Sequence, residues 1–270
     1  SAFLSCRWMQ RSRSMRSLLS RLDRYFAPPP APGRVGWLSE WTYAHRGLHG
    51  NGVPENSLAA YAGAVERGMG IECDIQRSRD NAAMLVHDWE LDRLTGVTGP
   101  TASYSADELA QIAFLDSEHK LAQLADLLAL VDGKVPLLIE IKSRRRYDVE
   151  ESCIAVRDAL KNYRGAHAVM SFDPRVSRWF RRNSPQTLHG LVIREDEKGM
   201  TQKAWQRHFA LWLARPDFVA YHVMALPNPM TCGLRKAGMP ILTWTVDSAE
   251  LLARAQIHAD APIAEGPGVP

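Results

Sequence analysis

Short apolar, β-prone runs alternating with stretches of helical periodicity restrict this chain more than any other feature. Such alternation is the pattern of βαβ units built around a parallel sheet. The strand-like runs cover residues 41–45, 70–75, 82–87, 136–142, 166–172, 188–193, 218–222 and 240–246. Helical patterns fill residues 57–67, 121–131, 149–163, 174–182, 201–214, 229–237 and 248–258. Eight strands with helices between them predict an α/β fold of the (β/α)₈ barrel type in preference to an open doubly wound sheet. Residues 89–120 are long for a βα connection and predict a small insertion after the third strand, with a helix over 105–112. Long connections of this kind usually serve function, and in a barrel this one overhangs the strand ends.

With 270 residues, 46% of them hydrophobic, the chain can bury one barrel-sized core. Its net charge of +3 does not call for a polyanionic partner such as nucleic acid. The charge is unevenly spread: Arg7, Arg11, Arg13, Arg16, Arg21, Arg24 and Arg34 face a single acid, Asp23, so the rest of the chain is slightly acidic. Residues 1–36 therefore divide off as a basic leader, disordered or partly helical through Leu18, Leu19, Leu22 and Phe26. The run Pro28-Pro29-Pro30-Ala31-Pro32-Gly33 follows, which stops a helix and spaces the chain out. The barrel domain is expected over 37–270. The basic segment offers a weak membrane-surface contact, and Met15 is a candidate native start. Cys6, Cys73, Cys153 and Cys232 form no disulfide framework, and no apolar run is long enough for a signal peptide or a membrane span. A soluble, cytoplasmic protein is expected.

Polar residues stand at the ends of otherwise apolar strands. His45-Arg46-Gly47 closes the first, Glu72-Cys73-Asp74 lies in the second, His87-Asp88 closes the third and Glu140-Ile141-Lys142 closes the fourth. Strand C-termini converge on one mouth of a barrel, so residues distant in sequence become neighbours there. Side chains alternate along a strand, so Glu72 pairs with Asp74 on one face and Glu140 with Lys142, while Cys73 and Ile141 face away. Three carboxylates in one mouth repel each other unless a cation neutralises them. Glu72, Asp74 and Glu140 thus form an all-oxygen ligand set for one divalent cation, Mg²⁺ or Ca²⁺. His45 and His87 suit acid and base work near neutral pH, Arg46 offers a planar fork for phosphate oxygens, and Lys142 a compact positive charge. Each motif alone has a bland reading as a salt bridge or turn. Together on consecutive strand ends they describe phosphoester cleavage.

This set resembles the glycerophosphodiester phosphodiesterase family. The resemblance runs over about residues 44–267 and also includes Pro54-Glu55-Asn56-Ser57, Leu91, Arg93 and Thr95 after His87-Asp88, Ser171-Phe172, Trp244-Thr245-Val246 and the closing segment from Ala259 to Pro267. It implies a TIM-type barrel that hydrolyses a small phosphodiester substrate to glycerol 3-phosphate and an alcohol with a divalent cation. It also implies His45 and His87 as general acid and base, in either order, Arg46 and Lys142 as phosphate contacts, and Glu72, Asp74 and Glu140 as metal ligands. Trp244 is a candidate substrate wall or core residue. Glu55 is either a metal-side residue or a helix cap.

Three places depart from the family pattern. Residues 48–53 form a glycine-rich loop whose His49 is expected to be solvated, Lys120-Leu121-Ala122-Gln123-Leu124 stands where the family often has Pro-Thr-Leu, and Ala264-Glu265-Gly266 stands where it often has Thr-Asp-Arg. Two competing functions remain at this level: a relative acting on lysophospholipids or sphingolipid-like diesters at membranes, and a non-catalytic barrel that binds phosphodiesters or a protein.

Overall fold

The computed structural model describes residues 18–144, 146–196 and 200–270. Eight parallel strands close into a barrel in the order β1 (Tyr43–Ala44), β2 (Gly70–Arg77), β4 (Leu137–Ile141), β5 (His167–Ser171), β6 (Leu188–Ile193), β7 (Phe218–His222), β8 (Ile241–Val246) and β9 (Ala261–Ala264), which returns to β1. The remaining strand, β3 (Ala83–Leu85), runs antiparallel against β2 and stands outside the ring. All five residues of β4 are buried, as expected for a parallel strand covered on both faces.

The barrel type and the strand number agree with the sequence, but the membership is corrected at two places. The run at 82–87 is the return arm of a hairpin, and the eighth barrel strand is Ala261–Ala264, read above only as part of a closing segment. A four-residue strand holding Pro262 gives a weak strand signal, because proline lacks the ladder N–H. Residues following β3 form the predicted insertion. It carries its own small core of Met84, Val86, Leu91, Leu109, Phe114 and Leu121, and a one-turn helix, Ala106–Leu109, with a Ser105–Glu108 capping box.

Parity divides the strands between two cores. Ile71, Cys73 and Ile75 of β2 and Leu137, Ile139 and Ile141 of β4 face the outer helices. Leu138, Ala168, Met170, Leu188, Val192, Phe218, Ala220 and Leu242 fill the barrel. Val35 and Leu38 join this inner cluster from the segment before β1, where Tyr43 Oη donates to the Leu38 carbonyl at 3.1 Å. The interior is tight at Gly190, where an added Cβ would lie 2.3 Å from Phe218 Cζ. Gly190→Ala is therefore expected to destabilise the protein by about 1–3 kcal/mol through overpacking. A urea midpoint equal to that of the unaltered protein would contradict this.

Of the segment set apart as a leader, residues 1–17 lie outside the described residues, including Met15 and the arginines Arg7, Arg11, Arg13 and Arg16. Residues 18–26 are helical and dock on the barrel. Asp23 is buried and accepts from Trp212 Nε1 at 2.9 Å, with His208 Nδ1 2.8 Å away, while Arg34 pairs with Asp217 at 3.1 Å. Among the described residues no helix is long and apolar enough to cross a membrane.

Candidate active site

The barrel register places the charged residues. Asp74 pairs with Glu140 across β2 and β4, and both point inward because Cys73, Ile139 and Ile141 point out. Lys142 continues the ladder through its N–H to the Ile75 carbonyl at 3.0 Å and shares the face of Glu140. Glu72, Asp74 and Glu140 are 2%, 2% and 7% exposed, and each offers an oxygen within 4.8 Å of the others. Lys142 Nζ donates to Asp74 Oδ1 at 3.2 Å and to Glu140 Oε1 at 2.8 Å.

Arg46 enters through a strained turn at the end of β1, with φ of 55°. Gly47 follows at φ 79°, where a Cβ would come within 2.7 Å of the Ala60 backbone, so only glycine fits there. The turn aims the Arg46 N–H at Glu72 Oε2, 3.1 Å away, and sends its side chain to Glu55, with Nη1 to Oε1 at 2.8 Å. Arg46 Nε lies 3.1 Å from Asp74 Oδ2 without the alignment of a hydrogen bond. Asn56, buried and at φ 54°, donates to Asp74 Oδ2 at 3.1 Å and accepts from Tyr61 Oη at 2.7 Å.

Each predicted histidine is backed by a carboxylate. His45 follows β1 in register with Glu265 after β9, and its Nδ1 lies 2.5 Å from Glu265 Oε2 while Nε2 faces Glu72 at 4.0 Å. The antiparallel return of β3 carries His87 back alongside Asp74, whose carbonyl accepts from Val86 N at 3.1 Å. His87 Nδ1 lies 2.7 Å from Asp88 Oδ1, Asp88 pairs with Arg93, and Arg93 reaches Glu55 at 2.8 Å. A continuous charged network thus links His87 through Asp88, Arg93, Glu55 and Arg46 to Asp74. Gln76 anchors the loop by donating to the carbonyls of His87 and Asp88.

The opposite half of the mouth is aromatic. Trp244 of β8 donates from Nε1 to the Ala220 carbonyl at 3.1 Å and meets Phe172 edge-on at 5.3 Å. His222 lies against its ring at 5.2 Å and Arg194 over it at 5.5 Å. The expectation of a solvated His49 is corrected: its Nε2 is buried and lies 3.3 Å from Glu265 Oε2.

Burial first, then the charges of Asp74 and Glu140, push the Glu72 carboxyl well above the usual range. Burial acts the same way on Asp74, but Lys142, His87 and Arg46 outweigh it and hold that carboxyl low. Lys142 is held protonated: burial opposes its charge, and Asp74 with Glu140 overcomes that. Glu265 is kept ionised by its hydrogen bond with His45 first, and by the imidazole of His49 beside it.

All seven residues named for catalysis and metal binding therefore meet at one end of the barrel, and Trp244 faces them from its other half. Glu265, Asn56, Asp88, Arg93 and Gln76 complete the site without an assigned role in the sequence reading. Asn56, Asp88, Arg93 and Glu265 all lay inside motifs named above, but the pairing of Glu265 with His45 became visible only through the pairing of β9 with β1.

Residues 45–261 match the model of the glycerophosphoryl diester phosphodiesterase family. A glycerophosphodiester phosphodiesterase of Caldanaerobacter subterraneus subsp. tengcongensis is 30% identical over 78% of this chain and 87% of its own length. A putative glycerophosphodiester phosphodiesterase of Bacillus subtilis, YhdW, is 28% identical over 79% and 88%. Among solved structures, the Thermotoga maritima glycerophosphodiester phosphodiesterase aligns with TM-score 0.66 at 25% identity, covering 83% of this chain and 93% of that one. An Oleispira antarctica phosphodiesterase, solved with the product sn-glycerol-3-phosphate, aligns with TM-score 0.72 at 22% identity over 83% and 92%, a likeness of fold. The mouth just described, with its buried acids, two cations and two carboxylate-backed imidazoles, is thus carried by a chain that belongs to the glycerophosphoryl diester phosphodiesterase family and is a phosphoric diester hydrolase of that kind.

Proposed function

We propose that this enzyme cleaves glycerophosphodiesters to glycerol 3-phosphate and an alcohol, using one divalent cation with His45 and His87 as the general acid and base pair. The observation that carries the reading is the imbalance around Glu72. Lys142 answers Asp74 and Glu140, yet among the described residues no lysine or arginine side-chain nitrogen lies within 4.0 Å of the Glu72 carboxylate oxygens. Three buried carboxylates with one uncompensated fit a hard divalent cation, Mg²⁺ or Ca²⁺, held by Glu72, Asp74 and Glu140. When bound, such a cation polarises phosphoryl oxygens and offsets the carboxylate charge.

The protein's own groups supply the rest. Lys142 has three donors and commits two, which leaves one for a phosphate oxygen. Arg46 is fixed by Glu55 through Nη1 and lies against Asp74 through Nε, which leaves Nη2 to reach the phosphate. Glu265 and Asp88 each hold an Nδ1, so Nε2 of both imidazoles is left for proton transfer, one taking the proton of the attacking water and the other giving one to the departing alkoxide. Trp244 and Phe172 form an apolar wall for the glycerol or alcohol portion. Free thiols at Cys73, Cys153 and Cys232 support a reducing, cytoplasmic setting.

The test strips the purified protein of metal and restores Mg²⁺ or Ca²⁺ in turn, with glycerophosphocholine and a lysophospholipid as parallel substrates. Glycerol 3-phosphate, followed by phosphorus NMR, should appear only once a cation is returned. Turnover that persists in chelator removes the cation from the mechanism. Preference for the lysophospholipid, with vesicle binding through the basic N-terminal segment, would replace the substrate class proposed here.

A further inference from the structure

The turn after β1 brings a second group of ligating atoms together beside the carboxylate trio. Gly50 and Gly52, at φ of 115° and 87°, fold the loop back on itself through paired Gly50–Val53 backbone hydrogen bonds of 2.9 and 3.0 Å. His49 lies at the start of this turn, with its side chain 23% exposed. Its Nε2 is shielded from solvent and faces Glu265 Oε2 at 3.3 Å without the alignment of a good hydrogen bond, and the same oxygen sits 2.5 Å from His45 Nδ1. A buried ring nitrogen so poorly satisfied is unfavourable. His45, His49 and Glu265 each offer a ligand atom within 4.8 Å of the others.

We propose that His45, His49 and Glu265 form a second metal site, selective for zinc-class cations, whose occupancy switches the enzyme off. Two imidazoles and one carboxylate with an open fourth position are a zinc donor set, whereas the all-oxygen trio of Glu72, Asp74 and Glu140 selects hard cations. Bonds of about 2.0–2.2 Å to a tetrahedral ion put neighbouring ligand atoms roughly 3.3–3.5 Å apart. The His49–Glu265 spacing meets that already. The His45–Glu265 contact has to open by about 1 Å, which the half-exposed Glu265 side chain can do by rotating. The ion replaces the proton shared by His45 Nδ1 and Glu265, and that proton leaves to solvent. An imidazole bound to a dication no longer takes up a proton at Nε2, so His45 is removed from proton transfer. Binding depends only on the three side chains. The loss of turnover rests on the proposed role of His45.

The experiment titrates Zn²⁺ into the full chain saturated with Mg²⁺, reading heat and turnover in parallel, with Co²⁺ as a visible-absorption probe of nitrogen ligation. The expected result is one tightly bound ion, a tetrahedral Co²⁺ spectrum, and turnover falling to below about a tenth in step with occupancy. Restoring Mg²⁺ after chelation recovers it. His49→Gln, and independently Glu265→Gln, should weaken both binding and inhibition by at least about 10-fold, each measured against the variant's own zinc-free rate. Glu72→Gln should leave the zinc isotherm in place. An isotherm unchanged in both His49→Gln and Glu265→Gln overturns the site. Inhibition that disappears as Mg²⁺ is raised does so too, because it places zinc on the carboxylate trio. Zinc bound through His49 with turnover intact would overturn the switch and the role of His45 together.

Discussion

Alanine at His45 or at His87 lowers kcat by roughly two to four powers of ten, while thermal unfolding stays within a few degrees of the unaltered protein. Both imidazoles sit at the mouth, 13% and 30% exposed, and neither belongs to a hydrophobic cluster, so their removal leaves the core intact. Each has a carboxylate on Nδ1, which fixes the ring and leaves Nε2 to take or give a proton. The two variants separate by leaving group. A substrate with a nitrophenol leaving group needs little protonation, so the variant lacking the general acid recovers most of its rate on it, and the variant lacking the base does not. That comparison assigns the two roles, which the geometry leaves symmetric. Either variant turning over glycerophosphocholine within about tenfold of the unaltered enzyme would refute the role given to that histidine. His49 is the nearest substitute for His45, so a residual rate in His45→Ala that vanishes in the double His45→Ala/His49→Ala variant identifies rescue by the neighbour.

What could be read in the sequence follows from how local each signal is. The inward placement of Glu72, Asp74, Glu140 and Lys142 was legible because strand parity is a property of adjacent residues, and one register then aligns them. His45 and His87 were legible as strand-end residues. The means by which His87 reaches the site was not, since an apolar run reads alike as a barrel strand or as a hairpin arm, and only the antiparallel pairing of Leu85 with Ile75 decides between them. Glu265 was hidden because it becomes the partner of His45 only when β9 closes the barrel onto β1, more than two hundred residues away. His49 was misread because loop composition predicts exposure, whereas its Nε2 is buried facing Glu265. The docking of residues 18–26 through Asp23 to His208 and Trp212 likewise joins positions nearly two hundred residues apart.

Glu72→Gln changes stability in opposite directions with and without the cation. In the metal-free protein, burial and the neighbouring charges of Asp74 and Glu140 raise the Glu72 carboxyl above its unfolded value. The folded state then holds a proton that the unfolded chain has released, so stability falls as pH rises from the unfolded pKa, about 4.3, towards the raised folded one. Glutamine removes that dependence, keeps the shape and can still accept from the Arg46 N–H. Metal-free Glu72→Gln should therefore unfold at a higher temperature than metal-free unaltered protein at pH 8, with the gap narrowing at pH 5. Saturating Mg²⁺ or Ca²⁺ reverses the order. A cation at a hundredfold its Kd stabilises the unaltered protein by about 2.7 kcal/mol, or roughly 5–10 °C in a chain of this size, and the variant gains little because an anionic ligand is gone. Turnover of the variant should fall with its cation affinity and recover in part at high cation concentration. Calorimetric scans at pH 5 and pH 8, with chelator and with each of the two cations, give all six comparisons. A variant stabilised by the cation as much as the unaltered protein would remove Glu72 from the ligand set. A metal-free variant that melts below the unaltered protein at pH 8 would mean that the buried charge around Glu72 is already balanced, and with it would go the physical case for a cation in this mouth.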